Sequence, residues 1–187
     1  MTKRIVVGIT GASGAVLAKR CIEVLAEHGI EVHLLASNAG RQTLAHECGN
    51  VFSDLSKLCH VTYKNEQIGA TIASGSFNHD GMIIIPCSIN TMSAIAHCHS
   101  SDLMSRAADV CLKEGRLLCL CVRETPLHKG HLKLMHEVAE LGAIVYPPIP
   151  TFYTGIKTMQ DMVDQTVGRI LKRCGIENSL YTQWEGL

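Results

Sequence analysis

The chain has 187 residues, 47% of them hydrophobic and 18% charged, and its 17 basic residues balance 17 acidic ones. It is too apolar to be disordered, and one domain of this length can bury a core without disulfide or metal staples. Neutrality removes the bulk attraction to nucleic acid or anionic membrane, and 3 Phe, 4 Tyr and 1 Trp leave few stacking platforms for single strands.

The first ten residues contain no apolar stretch of signal-peptide length. The strongest apolar run, residues 117–122, falls far short of the roughly 18 residues of a membrane span. Nine cysteines, an odd number with no export signal, read as reduced thiols in a cytoplasmic protein. Residues 5–9 are β-branched and bounded by Gly11, the pattern of a buried strand. Residues 14–28 follow as a helix closed by Gly29, residues 31–36 as a second strand and 38–47 as a second helix. From 48 to 79 the pattern is mixed, with a short helix near Leu55, an edge strand and a Gly/Ser loop at 74–76 expected. Residues 82–85 form a third buried strand stopped by Pro86, followed by helices over 90–97 and 102–114. A strand at 117–122, a helix at 129–141, a strand at 144–146 and a helix at 158–174 complete the order, and the last dozen residues read as a tail. Strands alternating with helices predict one α/β domain over residues 1–187, a doubly wound parallel sheet covered on both faces.

Ligands of such sheets bind beyond the carboxyl ends of the strands, and the polar chemistry collects there. Strand exits carry Thr10 to Gly14, Ser37, the PCSINT string at 86–91, the RETP string at 123–126 and the PTFY string at 150–153. The first loop is glycine-rich and opens a helix, a cradle for phosphate or another electron-rich group. Its spacing is not the dinucleotide fingerprint, because Thr10 stands where the second glycine belongs, and Ser37 replaces the acid that would hold a ribose hydroxyl. No Gly-Lys-Ser/Thr completes a triphosphate loop. Nicotinamide dehydrogenases and P-loop ATPases are therefore disfavoured. Ser88 to Thr91 suit a mononucleotide phosphate or the amide edge of a ring, and equally well cap a helix.

Arg106 and Lys113, seven apart, share a helix face. They are either a solvated face with an Asp109–Lys113 ion pair or, with Arg169 and the Tyr153 hydroxyl, a phosphate clamp. The spacings among His97, Cys98, His99, His128, His131 and His136 match no tetrahedral zinc pattern, so no metal is expected. Cys119 and Cys121 share one face of a strand and belong to the core.

In order along almost the whole chain, these strings resemble the UbiX-type flavin prenyltransferases. The resemblance rests on GITGASG at 8–14, RQTL at 41–44 with Glu47, SGSF at 74–77, PCSI at 86–89, RAAD at 106–109 with Lys113 and Glu114, VRETPL at 122–127 and PTFY at 150–153. It implies a Rossmann-like, flavodoxin-related subunit of a homo-oligomer, commonly a dodecamer, with sites between subunits. The family transfers a dimethylallyl group from dimethylallyl phosphate to N5 and C6 of reduced FMN, without a metal. The product, prenylated FMN, serves UbiD-type decarboxylases. Carried over by position, FMN sits on Gly11, Ala12, Ser13, Ser37, Ser88, Ile89, Asn90, Thr91 and Arg123. Arg106, Lys113, Tyr153 and Arg169 hold the prenyl phosphate. Ser13, Glu47, Lys113 and Glu124 carry the catalysis, the serine and the two glutamates as acid/base or hydrogen-bonding groups. Two departures stand out: Asn90 where many relatives carry Lys, and SGSF where some carry Trp. Two rival readings keep the flavin loops: a flavin-containing cysteine decarboxylase, which needs a mid-chain histidine such as His60 or His79, and a non-catalytic FMN carrier.

Overall fold

The computed structural model describes residues 2–186. Six parallel strands, β1 (Arg4–Ile9), β2 (Glu31–Ala36), β3 (Val61–Lys64), β4 (Gly81–Cys87), β5 (Leu117–Val122) and β6 (Ile144–Val145), form one sheet in the order β3-β2-β1-β4-β5-β6. Seven helices connect and cover it: α1 (Ala15–Glu27), α2 (Asn38–Cys48), α3 (Phe52–Leu58), α4 (Ile89–Ala96), α5 (Leu103–Lys113), α6 (Lys129–Glu140) and α7 (Met159–Arg173). The edge strand expected between residues 48 and 79 is β3, and the last strand is one residue shorter than predicted.

Each central strand is apolar on both sides and feeds two cores. Ile5, Val7, Ile9, Ile83, Ile85, Cys119 and Cys121 face α1, α3 and α7. Val6, Met82, Ile84, Leu118, Leu120 and Val122 face α4, α5 and α6. Period-two alternation thus places α5 and α7 on opposite faces of the sheet. The predicted stop at Pro86 is corrected. The strand continues to Cys87, and its register against β5 shifts between Ile84 and Cys87, an irregularity where a residue without an N–H is tolerated. The C-terminal stretch is also more than a tail: Thr182 N–H donates to Gln165 Oε1 (2.7 Å) and Asn178 Nδ2 to Gly168 O (3.0 Å), laying it along α7. Among the described residues no helix is long and apolar enough to cross a membrane.

Candidate active site

The crossover between β1 and β4 opens a crevice at the carboxyl ends of the strands. Thr10, buried at the exit of β1, closes its floor. Its hydroxyl donates to Pro86 O (2.8 Å) and accepts the Ser88 N–H (2.8 Å), binding the first rim loop to the β4 loop. Gly14 lies at φ 104, a left-handed conformation that glycine supplies without strain, and turns the loop into α1. The N–H groups of Gly11 and Ser13 have no acceptor among the described residues. Ser37 caps α2 by accepting the Gly40 N–H (3.0 Å), and Ser88 caps α4 by accepting that of Thr91 (3.3 Å). Capping and ligand holding are compatible here, because a cap takes one of the unpaired first-turn amides and leaves others free.

Glu47, in the last turn of α2, reaches across to α1. Its carboxylate accepts the N–H groups of Gly14 (3.0 and 3.1 Å) and Ala15 (2.7 Å), an anion on a helix N-terminus directly after Ser13. On the other side of the crevice, Arg123 N–H donates to Cys87 O (3.0 Å), while the Arg123 and Glu124 side chains are exposed. Glu124 Oε1 accepts the N–H of Thr125 (2.9 Å). Burial pushes the Cys87 thiol up to about 12, so this rim cysteine is no thiolate at neutral pH.

The four residues expected to grip a phosphate divide into two groups. Arg106 pairs with Asp109 (2.7 Å) and donates from Nε to Ala73 O (3.2 Å), while Lys113 pairs with Glu114. The predicted Asp109–Lys113 pair is therefore replaced by Arg106–Asp109 and Lys113–Glu114. Lys113 ends α5 four residues before Leu117, which pairs with Gly81 where the strands begin, at the end of the sheet away from the crevice. Across the sheet, on α7, Arg169 lies over the Tyr181 ring (5.4 Å) and acts on Tyr146, whose phenol burial pushes up and the guanidinium pulls back. Tyr153 rests edge-on against Trp184, with ring centroids 5.0 Å apart. Within one chain the sheet stands between the two groups.

Of the histidines and cysteines weighed as metal ligands, His128 and His131 lie close, their rings tilted with centroids 3.7 Å apart. Among the described residues, however, no group of three or more His, Cys, Asp or Glu is arranged to hold a metal. Cys119 and Cys121 lie in the core with Cys21 and Cys174, and burial raises the thiols of Cys21 and Cys121. Two neighbours of these groups carry no signal of their own in the sequence: Tyr146, beside Arg169, ends a strand pattern, and Arg116, which bonds the loop at 74–77, belongs to no periodic run or motif.

A family model described as Flavoprotein matches residues 1–171. The flavin prenyltransferase UbiX of Escherichia coli is 48% identical, over 98% of this chain and 99% of its own. The chain belongs to the UbiX flavin prenyltransferases. Among solved structures of this family, AnUbiX in complex with FMN and dimethylallyl pyrophosphate superposes with a TM-score of 0.97 at 39% identity, covering 100% of both chains. A UbiX-like protein of Escherichia coli, described as a dodecameric FMN-dependent decarboxylase, superposes with a TM-score of 0.95 at 38% identity over 98% of this chain and 100% of its own. The rim loops and both cation groups of this UbiX-type chain lie inside the spans covered.

Proposed function

We propose that this flavin prenyltransferase moves a dimethylallyl group from dimethylallyl phosphate to N5 and C6 of reduced FMN. The prenylated FMN so made is handed to a UbiD-type decarboxylase. The observation that carries the site assignment is the crevice itself, with the unpaired amides of Gly11 and Ser13 set between two serine-capped helices. These donors fit a flavin, which offers phosphate oxygens at one end and ring carbonyl and nitrogen acceptors at the other. Gly11, Ala12, Ser13, Ser37, Ser88, Ile89, Asn90, Thr91 and Arg123 are the residues we assign to it. The reduced flavin supplies the electron-rich nitrogen and carbon that receive the prenyl group.

The protein's part is electrostatic. Departure of an allylic phosphate builds negative charge on phosphate oxygens, and Arg106, Lys113, Arg169 and the Tyr153 hydroxyl are the donors assigned to stabilise it. Ser13, Glu47 and Glu124 are assigned to proton handling beside the ring, with Glu47 also fixing the start of α1.

Because the cation groups lie on opposite faces of one sheet, this site is completed between copies of the chain. The assembly we propose is a homo-oligomer, a dodecamer on the pattern of its relative. Its contact surface includes the side chains of Phe152, Ile149 and Met159, 88%, 73% and 69% exposed in the single chain. The nine free cysteines favour a reducing, cytoplasmic setting.

Anaerobic incubation of the protein with reduced FMN and dimethylallyl phosphate tests the reading. The expected result is a flavin heavier by one prenyl unit, with a shifted absorption spectrum. Unchanged flavin mass with flavin still bound would instead make the chain an FMN carrier.

A further inference from the structure

Between β3 and β4 the chain runs from Asn65 to Asp80 with one short 3₁₀ turn, Thr71–Ala73, as its only regular structure. A stretch of that length must satisfy its backbone carbonyls by other means. Here three arginines do so, from β1, α5 and the turn between α5 and β5. Arg106 Nε donates to Ala73 O (3.2 Å), Arg116 Nη2 to Gly75 O (2.6 Å), Arg116 Nη1 to Phe77 O (2.9 Å) and Arg4 Nη1 to Asn78 O (2.6 Å). Arg4 and Arg106 also pair with the carboxylates of Glu31 and Asp109. Arg116 has no carboxylate partner among the described residues, and the hydrogen bonds of its guanidinium go to this loop. The loop in turn lies against the Lys113–Glu114 pair: a Cβ on Gly75 would overlap the Glu114 carboxylate and sit 2.8 Å from Lys113 Nζ.

We propose that Arg116 is a positioning residue for the prenyl donor, its guanidinium bridging two carbonyls of the SGSF loop so that the loop holds Lys113 where the donor phosphate binds. The inference rests on the prenyltransferase reading given above. The planar fork of arginine suits two carbonyls at once, whereas a lysine in its place keeps the charge and reaches only one. Loss of the bridge frees the loop and with it the ammonium of Lys113, at the end of the sheet away from the crevice assigned to FMN. The effect therefore falls on the donor and spares the flavin.

The test uses the full-length assembly with Arg116→Met, Arg116→Lys and Gly75→Ala. With Arg116→Met, the KM for dimethylallyl phosphate should rise about tenfold, the loss of roughly one charge-assisted hydrogen bond, while the FMN dissociation constant stays within about twofold. Arg116→Lys should fall between wild type and Arg116→Met. A donor KM within about twofold of wild type in Arg116→Met overturns the proposal, and so does an equal worsening of donor and flavin binding, which marks general loosening. Should Arg116→Met not fold, Gly75→Ala carries the test, because its methyl crowds the Glu114 carboxylate and the Lys113 ammonium paired with it while Arg116 stays intact: a raised donor KM supports the proposal and an unchanged one overturns it. Hydrogen exchange of the amides at 74–78 in Arg116→Lys decides the latch without turnover, faster exchange supporting it and unchanged exchange overturning it. A wild-type protein that gives no prenylated product counts against the enzymatic reading alone, since the exchange measurement still judges the latch.

Discussion

The two irregular segments that serve the proposed donor site, residues 65–80 and 147–157, are held in opposite ways. The first is bound at every turn: besides the arginine–carbonyl bonds, Tyr63 OH meets Thr71 Oγ1 (2.8 Å) and Asn65 Oδ1 accepts the N–H of Met104 (3.0 Å). The Phe77 ring packs inward against His33, centroids 5.3 Å apart. The second has few bonds of its own, among them Ile149 N–H to Pro147 O (2.8 Å) and Lys157 N–H to Asp161 Oδ2 (3.1 Å), and it leaves Phe152 88% exposed. An exposed phenylalanine beside an exposed tyrosine gains hydrophobic free energy only when something covers it. In the site we propose, one half is thus finished within the chain, and the other is left for a second copy to finish.

That contrast can be broken at either half. The largest effect should come from the cations themselves: Lys113→Ala or Arg169→Ala is expected to lower kcat/KM by on the order of 10²–10³, the usual loss for one preorganised donor, with FMN retained. Titration of flavin fluorescence alongside product mass separates the two readouts. Phe152→Asp should reach the site through assembly. Sedimentation velocity should show smaller species, and turnover per chain should drop by on the order of 10², because the groups are no longer held in register. Tyr153→Phe keeps the ring on Trp184 and removes the hydroxyl, so a loss of about tenfold in kcat/KM with the oligomer intact is expected.

The smallest effect tests the finished half. Glu31 is held down to about 2 by Arg4 and by His33, whose Nε2 lies 3.0 Å away. A carboxylate depressed on folding stabilises the native state above its unfolded value near 4.5 and loses that contribution as pH falls through about 2. Acid unfolding followed by circular dichroism should therefore steepen in that window and flatten in Glu31→Gln. The variant should cost about 1 kcal/mol at neutral pH, since the pair is partly solvated.

The sheet was legible because buried parallel strands leave continuous β-branched runs, as in β1 and β4, and because Gly29 and Gly142 mark helix ends where periodicity stops. Pro86 misled, because its missing N–H argues against a strand while a local register shift accommodates it. The rim loops were legible as chemistry, since small and hydroxyl residues gather at strand exits. Their grouping was not. The side of the sheet to which Arg106 and Arg169 belong depends on how the crossovers pack, and Lys113 chose Glu114 over Asp109 through local geometry that helix spacing does not encode. The Arg116 guanidinium bonds to the carbonyls of residues 75 and 77, which leaves no complementary side chain in the sequence to announce it.

Glu47 bears on which nucleotides this crevice can admit. Its strand order is that of the dinucleotide-binding enzymes, in which the first helix meets a pyrophosphate with its leading amides. Here a resident anion already occupies the amides of Gly14 and Ala15. A second phosphate arriving there would meet like charge and would have to evict a ligand the protein carries itself. The first helix of the same architecture is thereby closed to the bridge between two phosphates.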